Sequence, residues 1–488
     1  MSSAYAPILG SYRPPAPIPC PQPLGLVPLV RTLMRNPIEC WAEEHFRKAC
    51  VTVRLPLLNA VLVHEPKAIR RVLLENAANY MKDSLQRRVL SAGLNDGLLS
   101  AEGSKWQMQR RSLAPMFTPK TVLGFLPAVL EAVAALCERW HRHRGHRALD
   151  VAAEMTRLTL DVLERTIFSD GLGRDVDEIR NAMSAYFNTI GRISPLDILG
   201  APDFVPRLGR LRVRSMLRFF ESAIDEIIAT RRRRLEERPS DGPADILTLL
   251  LGALDPDTSA HMTAAEVRSN ILTFIAAGHE TTANALTWSL FLLSQSPEWR
   301  SRVEAECDNA ITGPITGVLD RLIVTRAVVE EALRLYPPIA AISRVAMGTD
   351  ELAGVPIRRG SLIVIAPYVL HRHRLVWNCP EQFDPARFLG TARKEMDRFA
   401  YIPFGAGPRT CIGATFAMQE ATLVLATIIH HFRLELASGH AVWPVLRVTL
   451  RPAGGLPMIA KSRRSREMTY NTFGGFSDRG RGTQAIEG

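Results

Sequence analysis

Phe404-Gly-Ala-Gly-Pro-Arg-Thr-Cys-Ile-Gly413 is the stretch on which the reading of this chain turns. Its glycines and proline keep the first half out of helix and strand, which predicts a tight loop with exposed backbone. From Ala414 to Phe432 apolar residues recur at helical spacing (Phe416, Met418, Leu423, Val424, Ile428), so Cys411 stands just ahead of a helix. Unpaired N–H groups and the positive end of that helix's dipole favour thiolate over thiol, and Arg409 adds positive charge two residues earlier. The expectation is a cysteine with a depressed pKa.

Most single cysteines in a large protein are small buried hydrophobes, and a nucleophilic cysteine lacks a local His/Asn signature here. A lone thiolate on a glycine loop also suits an axial ligand to haem iron. The fixed positions Phe404, Gly407, Arg409, Cys411 and Gly413 fit Phe-x-x-Gly-x-Arg-x-Cys-x-Gly throughout. The decapeptide resembles the haem-binding loop of the cytochrome P-450 family. That resemblance implies a mainly α fold with a smaller β-rich subdomain, and heme b (protoheme IX) between a long central helix and the cysteine loop.

Size and composition are compatible with this. The 488 residues, 47% hydrophobic and 22% charged, are ample for a sizeable core. A net charge of +11 points to an acidic partner, anionic lipid or nucleic acid. Nucleic acid is the weakest of the three, since no zinc finger, RNA-binding signature or long basic stripe occurs. The densest basic run, Arg231 to Arg234, reads as a solvated helix end. Seven cysteines (20, 40, 50, 137, 307, 379 and 411) without paired spacing argue for a reducing compartment. Met1 to Gly10 lacks the pattern of a signal peptide, and no uninterrupted apolar run approaches the ~18 residues of a spanning helix. The expectation is a soluble, cytoplasmic monomer, with peripheral membrane contact left open.

Three parts are expected: a proline-rich segment over 1–28, a single domain over 29–460, and a basic, disordered tail over 461–488. Val51 to Leu55 and Ala60 to His64 read as a hairpin, Ser361 to Ala366 as a buried strand, and Pro66 to Glu237 as mostly helical. Breaks fall near Gly93–Gly103, Gly145, Gly171–Gly173 and Ser194–Pro206, and Pro239 to Gly242 reads as a linker. Thr263-Ala-Ala-Glu266 is a capping box opening an apolar helix of about 30 residues. Ala277-Gly-His-Glu-Thr-Thr282 interrupts that helix. A carboxylate in mid-helix is costly to bury unless bonded, paired or wet, and Gly278 costs ~1 kcal/mol against alanine. Packing alone would choose neither.

The six residues resemble the family's oxygen-activation motif. The resemblance implies that Gly278 leaves room for dioxygen, that a local distortion admits water, and that Glu280 and Thr281 relay protons, with His279 structural. Trp106 and Arg110 share a helical face and on their own read as a surface stacking pair. By resemblance they bind a haem propionate, as do Arg344 and Arg409, with Lys82 in a similar part. Glu331 and Arg334, an i, i+3 pair, with Arg387 of Pro385-Ala-Arg-Phe388 resemble the Glu-Arg-Arg triad that braces the haem loop. The usual Pro-Glu-Arg-Phe is altered here but keeps its arginine. His371-Arg-His373 carries no completing metal-ligand cluster and reads as solvated or structural.

The resemblance implies a haem-thiolate monooxygenase using O2, with electrons ultimately from NAD(P)H through a ferredoxin or flavodoxin and its reductase. No flavin- or nicotinamide-binding fingerprint occurs in the sequence. By resemblance the substrate loops are Met81–Ser104, Ala182–Arg214 and Pro338–Ser343, and their apolar residues (Ile198, Leu199, Phe204, Ile339, Ile342) suggest a fatty acid, terpenoid or steroid-like substrate. A haem-thiolate peroxygenase or isomerase, and a non-catalytic haem sensor, remain as alternatives.

Overall fold

The computed structural model describes residues 12–55, 58–83, 96–142, 147–169, 208–238, 242–311 and 317–464. The expected breaks at Gly145, Gly171–Gly173 and Ser194–Pro206, most of the linker, and the substrate-loop residues Ile198, Leu199 and Phe204 lie outside the described residues. The longer helices are α1 (Leu26–Arg35), α2 (Gly103–Leu113), α3 (Leu126–Arg142), α4 (Val151–Ile167) and α5 (Leu208–Glu237). They continue as α6 (Ala264–Gln295), α7 (Pro297–Ala310), α8 (Ile323–Leu335) and α9 (Ala414–His431).

Helix α6 is the axis of the body. Its capping box forms as the sequence requires: Glu266 N–H donates to Thr263 Oγ1 at 3.3 Å, and Thr263 N–H donates to Glu266 Oε2 at 2.9 Å. The helix then runs 32 residues, about 48 Å at ~1.5 Å per residue. Its buried hydroxyls are tolerated because they donate to carbonyls one turn back, as Thr273 does to Ser269 O (2.8 Å) and Thr287 to Ala283 O (2.7 Å). Trp288 is wholly buried, stacked on Tyr336 with ring centroids 3.8 Å apart. Helices α4, α9 and α8 pack around it.

The strands are β1 (Cys50–Leu55), β2 (Leu58–Val63), β3 (Tyr80–Met81), β4 (Leu149–Asp150), β5 (Ile342–Ala346) and β6 (Asp350–Leu352). After them come β7 (Val355–Ile357), β8 (Leu362–Ile365), β9 (Phe432–Leu436), β10 (Pro444–Leu446), β11 (Leu450–Pro452) and β12 (Pro457–Ser462). The hairpin β1–β2 is in the expected place, with Val53 opposite Ala60. It joins a five-stranded sheet in the order β1-β2-β8-β5-β3, in which β2 pairs in parallel with β8. Almost the entire helical body intervenes between those two strands. A smaller sheet, β4-β12-β9, and the hairpins β10–β11 and β6–β7 complete the β part.

Several expectations need correction. The proline-rich segment is not detached: Tyr336 Oη donates to Pro15 O at 2.8 Å, Tyr12 meets Phe291 edge-on, and α1 already begins at Leu26. The C-terminal boundary also moves. Lys461 and Ser462 belong to β12, opposite Arg433 and Phe432, and Arg463 pairs with Asp308 at 2.9 Å. Arg231 is not a solvated cation but a buried one, bonded to Asp245 at 2.8 Å and to Thr248 at 2.6 Å.

Pro119–Arg142 has the length and apolar composition of a spanning helix. Here it divides into a short helix, Pro119–Leu123, and α3, whose Val129, Val133, Leu136 and Trp140 are buried in the core. Trp140 Nε1 donates to Glu154 in α4 at 3.0 Å, which ties this face inward.

Candidate active site

The cysteine loop is set by its backbone. Gly405 and Gly407 have φ of +70° and +72°, the left-handed region that favours glycine. A Cβ on Gly407 would lie 1.7 Å from the carbonyl oxygen of Leu73, so the loop passes against that backbone only because the side chain is absent. Cys411 N–H donates to Phe404 O at 2.9 Å, and Thr410 Oγ1 donates to the same oxygen at 3.3 Å. Phe404 thus closes the loop with its carbonyl while its ring packs on the main core. Helix α9 starts three residues after the cysteine.

Cys411 has an exposed surface, yet the protein surrounding it is enough for desolvation to push its thiol above the usual value. A thiol that is exposed yet enclosed by protein fits the wall of a cavity. The depressed pKa expected from the helix N-terminus is therefore not found in the protein alone. A hydrogen bond involving Gly413 and the charge of Arg110 do act downward, but burial outweighs them. A metal cation at the sulfur would reverse that balance, since a coordinated thiol loses its proton.

Across from the loop, Phe117 bridges to α6: its ring meets Phe274 edge-on at 5.3 Å, and its Cε1 lies 4.0 Å from where a Cβ on Gly413 would be. Just beyond Phe274, α6 opens. Ala277 is exposed and Gly278, Glu280 and Thr281 are partly so, between fully buried turns on either side. Such an opening in the middle of a core helix fits the wall of a cavity.

The three polar residues of the motif are fastened differently. Thr281 Oγ1 donates to Ala277 O at 2.8 Å, within its own helix. His279 is buried, with Nδ1 at 2.8 Å from Ile275 O, and its carbonyl accepts from Thr159 of α4 at 2.9 Å. Glu280 reaches out of the helix to the β10–β11 hairpin, where Thr449 Oγ1 of the turn donates to its Oε1 at 2.7 Å and Arg451 Nη1 of β11 stands at 3.8 Å. Helix α6 is assigned without a break from Ala264 to Gln295. Gly278 also makes a close packing contact. A Cβ there would meet Leu163 of α4 at 3.3 Å, so the bare backbone accommodates close packing of α4 on α6.

A cationic cluster adjoins the loop. Arg409 donates to Ala101 O at 2.9 Å and to Glu102 Oε2 at 2.6 Å, and lies 4.0 Å over the Trp106 ring. Trp106 on α2 thus stacks on Arg409, a cation–π contact. Lys82 donates to Leu99 O and stands 3.6 Å from Glu102 Oε1. Arg344 donates to Ser343 O at 2.7 Å. Burial, with help from Arg409 and Arg344, pushes Lys82 down to about 8, and burial also lowers Arg110, Arg344 and Arg409. Glu102 is the carboxylate that Lys82 and Arg409 share, and its Oε1 accepts no hydrogen bond. Buried cations in excess of carboxylates call for an anion. The two propionates of a haem meet that need, so the residues present fit the group.

Behind the loop, the Glu331–Arg334 pair is wholly buried, with Arg387 at its edge. Arg334 Nε and Nη2 donate to Glu331 at 2.6 and 2.8 Å, and Arg387 Nε lies 3.7 Å from Glu331 Oε1. Arg334 also donates to the carbonyls of His371, Pro380 and Gln382, at 2.7, 2.7 and 2.9 Å. His371 Nε2 in turn accepts from Ile402 N–H at 3.0 Å, two residues before Phe404. Burial, reinforced by Arg334 and Arg372, pushes His371 down to about 3 and so keeps it neutral, as an acceptor must be. Of the two readings the sequence allows for His371, solvated or structural, the buried imidazole is the structural one, a strut to the loop. Thr449 and Arg451 carry no sequence signal, for neither stands in a motif, and Glu102 lies in Gly97-Leu-Leu-Ser-Ala-Glu-Gly103, a stretch of the family's character whose carboxylate has no role readable from sequence.

The profile of the family described as Cytochrome P450 matches residues 13–457. Among curated proteins, the chain is 33% identical over 447 residues to the cyclooctat-9-en-7-ol 5-monooxygenase of Streptomyces melanosporofaciens, covering 90% of this chain and 94% of that protein. It is 29% identical to the pentalenene oxygenase of Streptomyces avermitilis, covering 87% and 94%. Among solved structures, the cytochrome P450DA heme domain superposes with a TM-score of 0.78 at 25% identity, covering 93% of this chain and 99% of that one.

Proposed function

The chain belongs to the cytochrome P450 family and is a haem-thiolate monooxygenase, and from that premise we propose that it hydroxylates an apolar terpenoid with electrons from a separate redox protein. The reaction is RH + O2 + NAD(P)H + H⁺ → ROH + H2O + NAD(P)⁺. The observation that carries the reading is Cys411, exposed yet enclosed by protein, on a loop fixed by backbone bonds and bordered by surplus cations.

Haem, when bound, supplies the oxidising chemistry on dioxygen that side chains lack. The chain's own residues would do the rest. Cys411 would ligate the iron, and Arg110, Arg344, Arg409 and Trp106, with Lys82, would hold the propionates by charge-assisted bonds. Thr281 and Glu280 would hold and pass protons in the opening of α6, each through its side-chain oxygen. Phe404 would support the loop under the ligand, and Gly278 would set the approach of α6 to α4. Glu331, Arg334 and Arg387 would act structurally.

Terpenoid is preferred over fatty acid or steroid because the names of two relatives carry cyclooctat-9-en-7-ol and pentalenene, both apolar terpenoid skeletons. The net charge of +11 supports docking of an acidic ferredoxin or flavodoxin near the cysteine loop. Two experiments test this. Titration of a panel of cyclic terpenes, fatty acids and steroids against the ferric protein should give Soret shifts with the terpenes; shifts confined to fatty acids would overturn the substrate class. Reduction by a ferredoxin should slow as ionic strength rises; insensitivity to salt would remove the electrostatic docking.

A further inference from the structure

Sequence motifs place Glu280 and Thr281 side by side, but their side chains are anchored to different parts of the fold. The Thr281 hydroxyl is satisfied inside α6, whereas the Glu280 carboxylate is held by the turn of the β10–β11 hairpin. Thr449, 2% exposed, is at the centre of that attachment. Its Oγ1 accepts from Asn284 Nδ2 at 2.9 Å. With an amide N–H directed at its lone pair, the hydroxyl's single proton is free for the carboxylate, 2.7 Å away. Asn284 lies one helical turn after Glu280 and shares its face of α6. The three side chains therefore form one directed chain: amide to hydroxyl to carboxylate.

The hairpin cannot easily yield. Leu450, the next residue, donates its N–H to Pro338 O at 3.0 Å and accepts from Trp288 Nε1 at 3.1 Å. Thr449 and Arg451 thus flank a residue clamped on one side to α6 and on the other to the segment following α8. Arg451, with 43% of its side chain exposed, adds positive charge near Glu280 Oε1 and reaches solvent. His279, next to Glu280 in the helix, also feels its charge and is buried, its Nδ1 2.8 Å from Ile275 O and its carbonyl bonded to Thr159 of α4.

We propose that Thr449 is a positioning residue: backed by Asn284 and Arg451, it fixes the Glu280 carboxylate on the hairpin side of the α6 opening. This rests on the reading of Glu280 as a proton-handling group, and the geometry assigns its orientation to a residue 169 positions away in sequence.

The test uses the haem-replete full chain with Thr449→Val and Thr449→Ser, after labelling glutamate carboxyls with carbon-13. The infrared difference between the parent and Glu280→Gln identifies the Glu280 carboxylate band. Thr449→Val should shift that band and Thr449→Ser should restore it; a band unmoved by Thr449→Val overturns the proposal. In the same variants, peroxide released per NAD(P)H is measured with a ferredoxin and its reductase. A several-fold rise in Thr449→Val, reversed in Thr449→Ser, supports the positioning together with the proton role. A shifted band with unchanged peroxide supports the positioning and overturns the proton role of Glu280, which separates the two readings.

Discussion

Glu331→Gln changes one oxygen to nitrogen and leaves volume alone, but it removes the charge on which a fully buried cation depends. In the folded chain Glu331 and Arg334 have no side-chain exposure, and Glu331 accepts two bonds from Arg334 and one from Asp384 N–H at 2.8 Å, with Arg387 close by. Removing one member of a buried ion pair costs ~3–5 kcal/mol, because the partner is left charged and uncompensated. Arg334 also grips three carbonyls of the segment leading to the cysteine loop, so the loss should reach haem retention as well as stability. Glu298→Gln is the control. It breaks an i, i+4 pair with Arg302 whose side chains are about half exposed, and such pairs contribute ~0–1 kcal/mol. Thermal unfolding and the ratio of Soret to protein absorbance would be read on both variants. Glu331→Gln should unfold well below the parent and carry little haem, and Glu298→Gln should match the parent. Near-parental stability and haem content in Glu331→Gln would refute the brace.

Gly407→Ala should purify largely without haem, since it demands a left-handed alanine, ~1–2 kcal/mol on its own, and drives a Cβ into the Leu73 carbonyl; normal haem content would contradict the loop geometry. Thr281→Ala should divert reductant into peroxide, NAD(P)H + H⁺ + O2 → NAD(P)⁺ + H2O2, with substrate binding by Soret titration unchanged. Acid should destabilise the chain from about pH 6.5 downward. His371 is held at about 3 when folded, and the unfolded chain takes up its proton below ~6.5 while the folded one does not. Each such histidine removes ~1.4 kcal/mol per pH unit in that window. His431, also held at about 3, adds to the slope. Unfolding of His371→Asn, followed between pH 7 and 5, should show a shallower loss than the parent, and equal slopes would show that His371 does not stay neutral.

Local signals were readable where one short segment carries both the chemistry and its frame. The decapeptide holds its turn glycines and its thiol together, and the capping box Thr263–Glu266 is complete within four residues. What escaped depends on contacts between distant segments. The parallel pairing of β2 with β8 joins residues about 300 apart, and periodicity does not register partners. Arg231 reads as solvated among three other arginines until Asp245 is folded against it. The pKa of Cys411 was expected to fall because a helix start is visible in sequence and burial is not; burial prevailed. The partners of Glu280 fail the same way, as nothing near Thr449 distinguishes it from any turn threonine.

The bond between Cys411 sulfur and haem iron is the claim on which every assigned role depends, and the absorption spectrum of the reduced, carbon monoxide-bound protein tests it directly. The parent should show the red-shifted Soret band characteristic of a thiolate ligand, and Cys411→Ser should lose it while retaining its fold by circular dichroism. A parent spectrum typical of histidine ligation, or a thiolate band that persists in Cys411→Ser, would contradict the account.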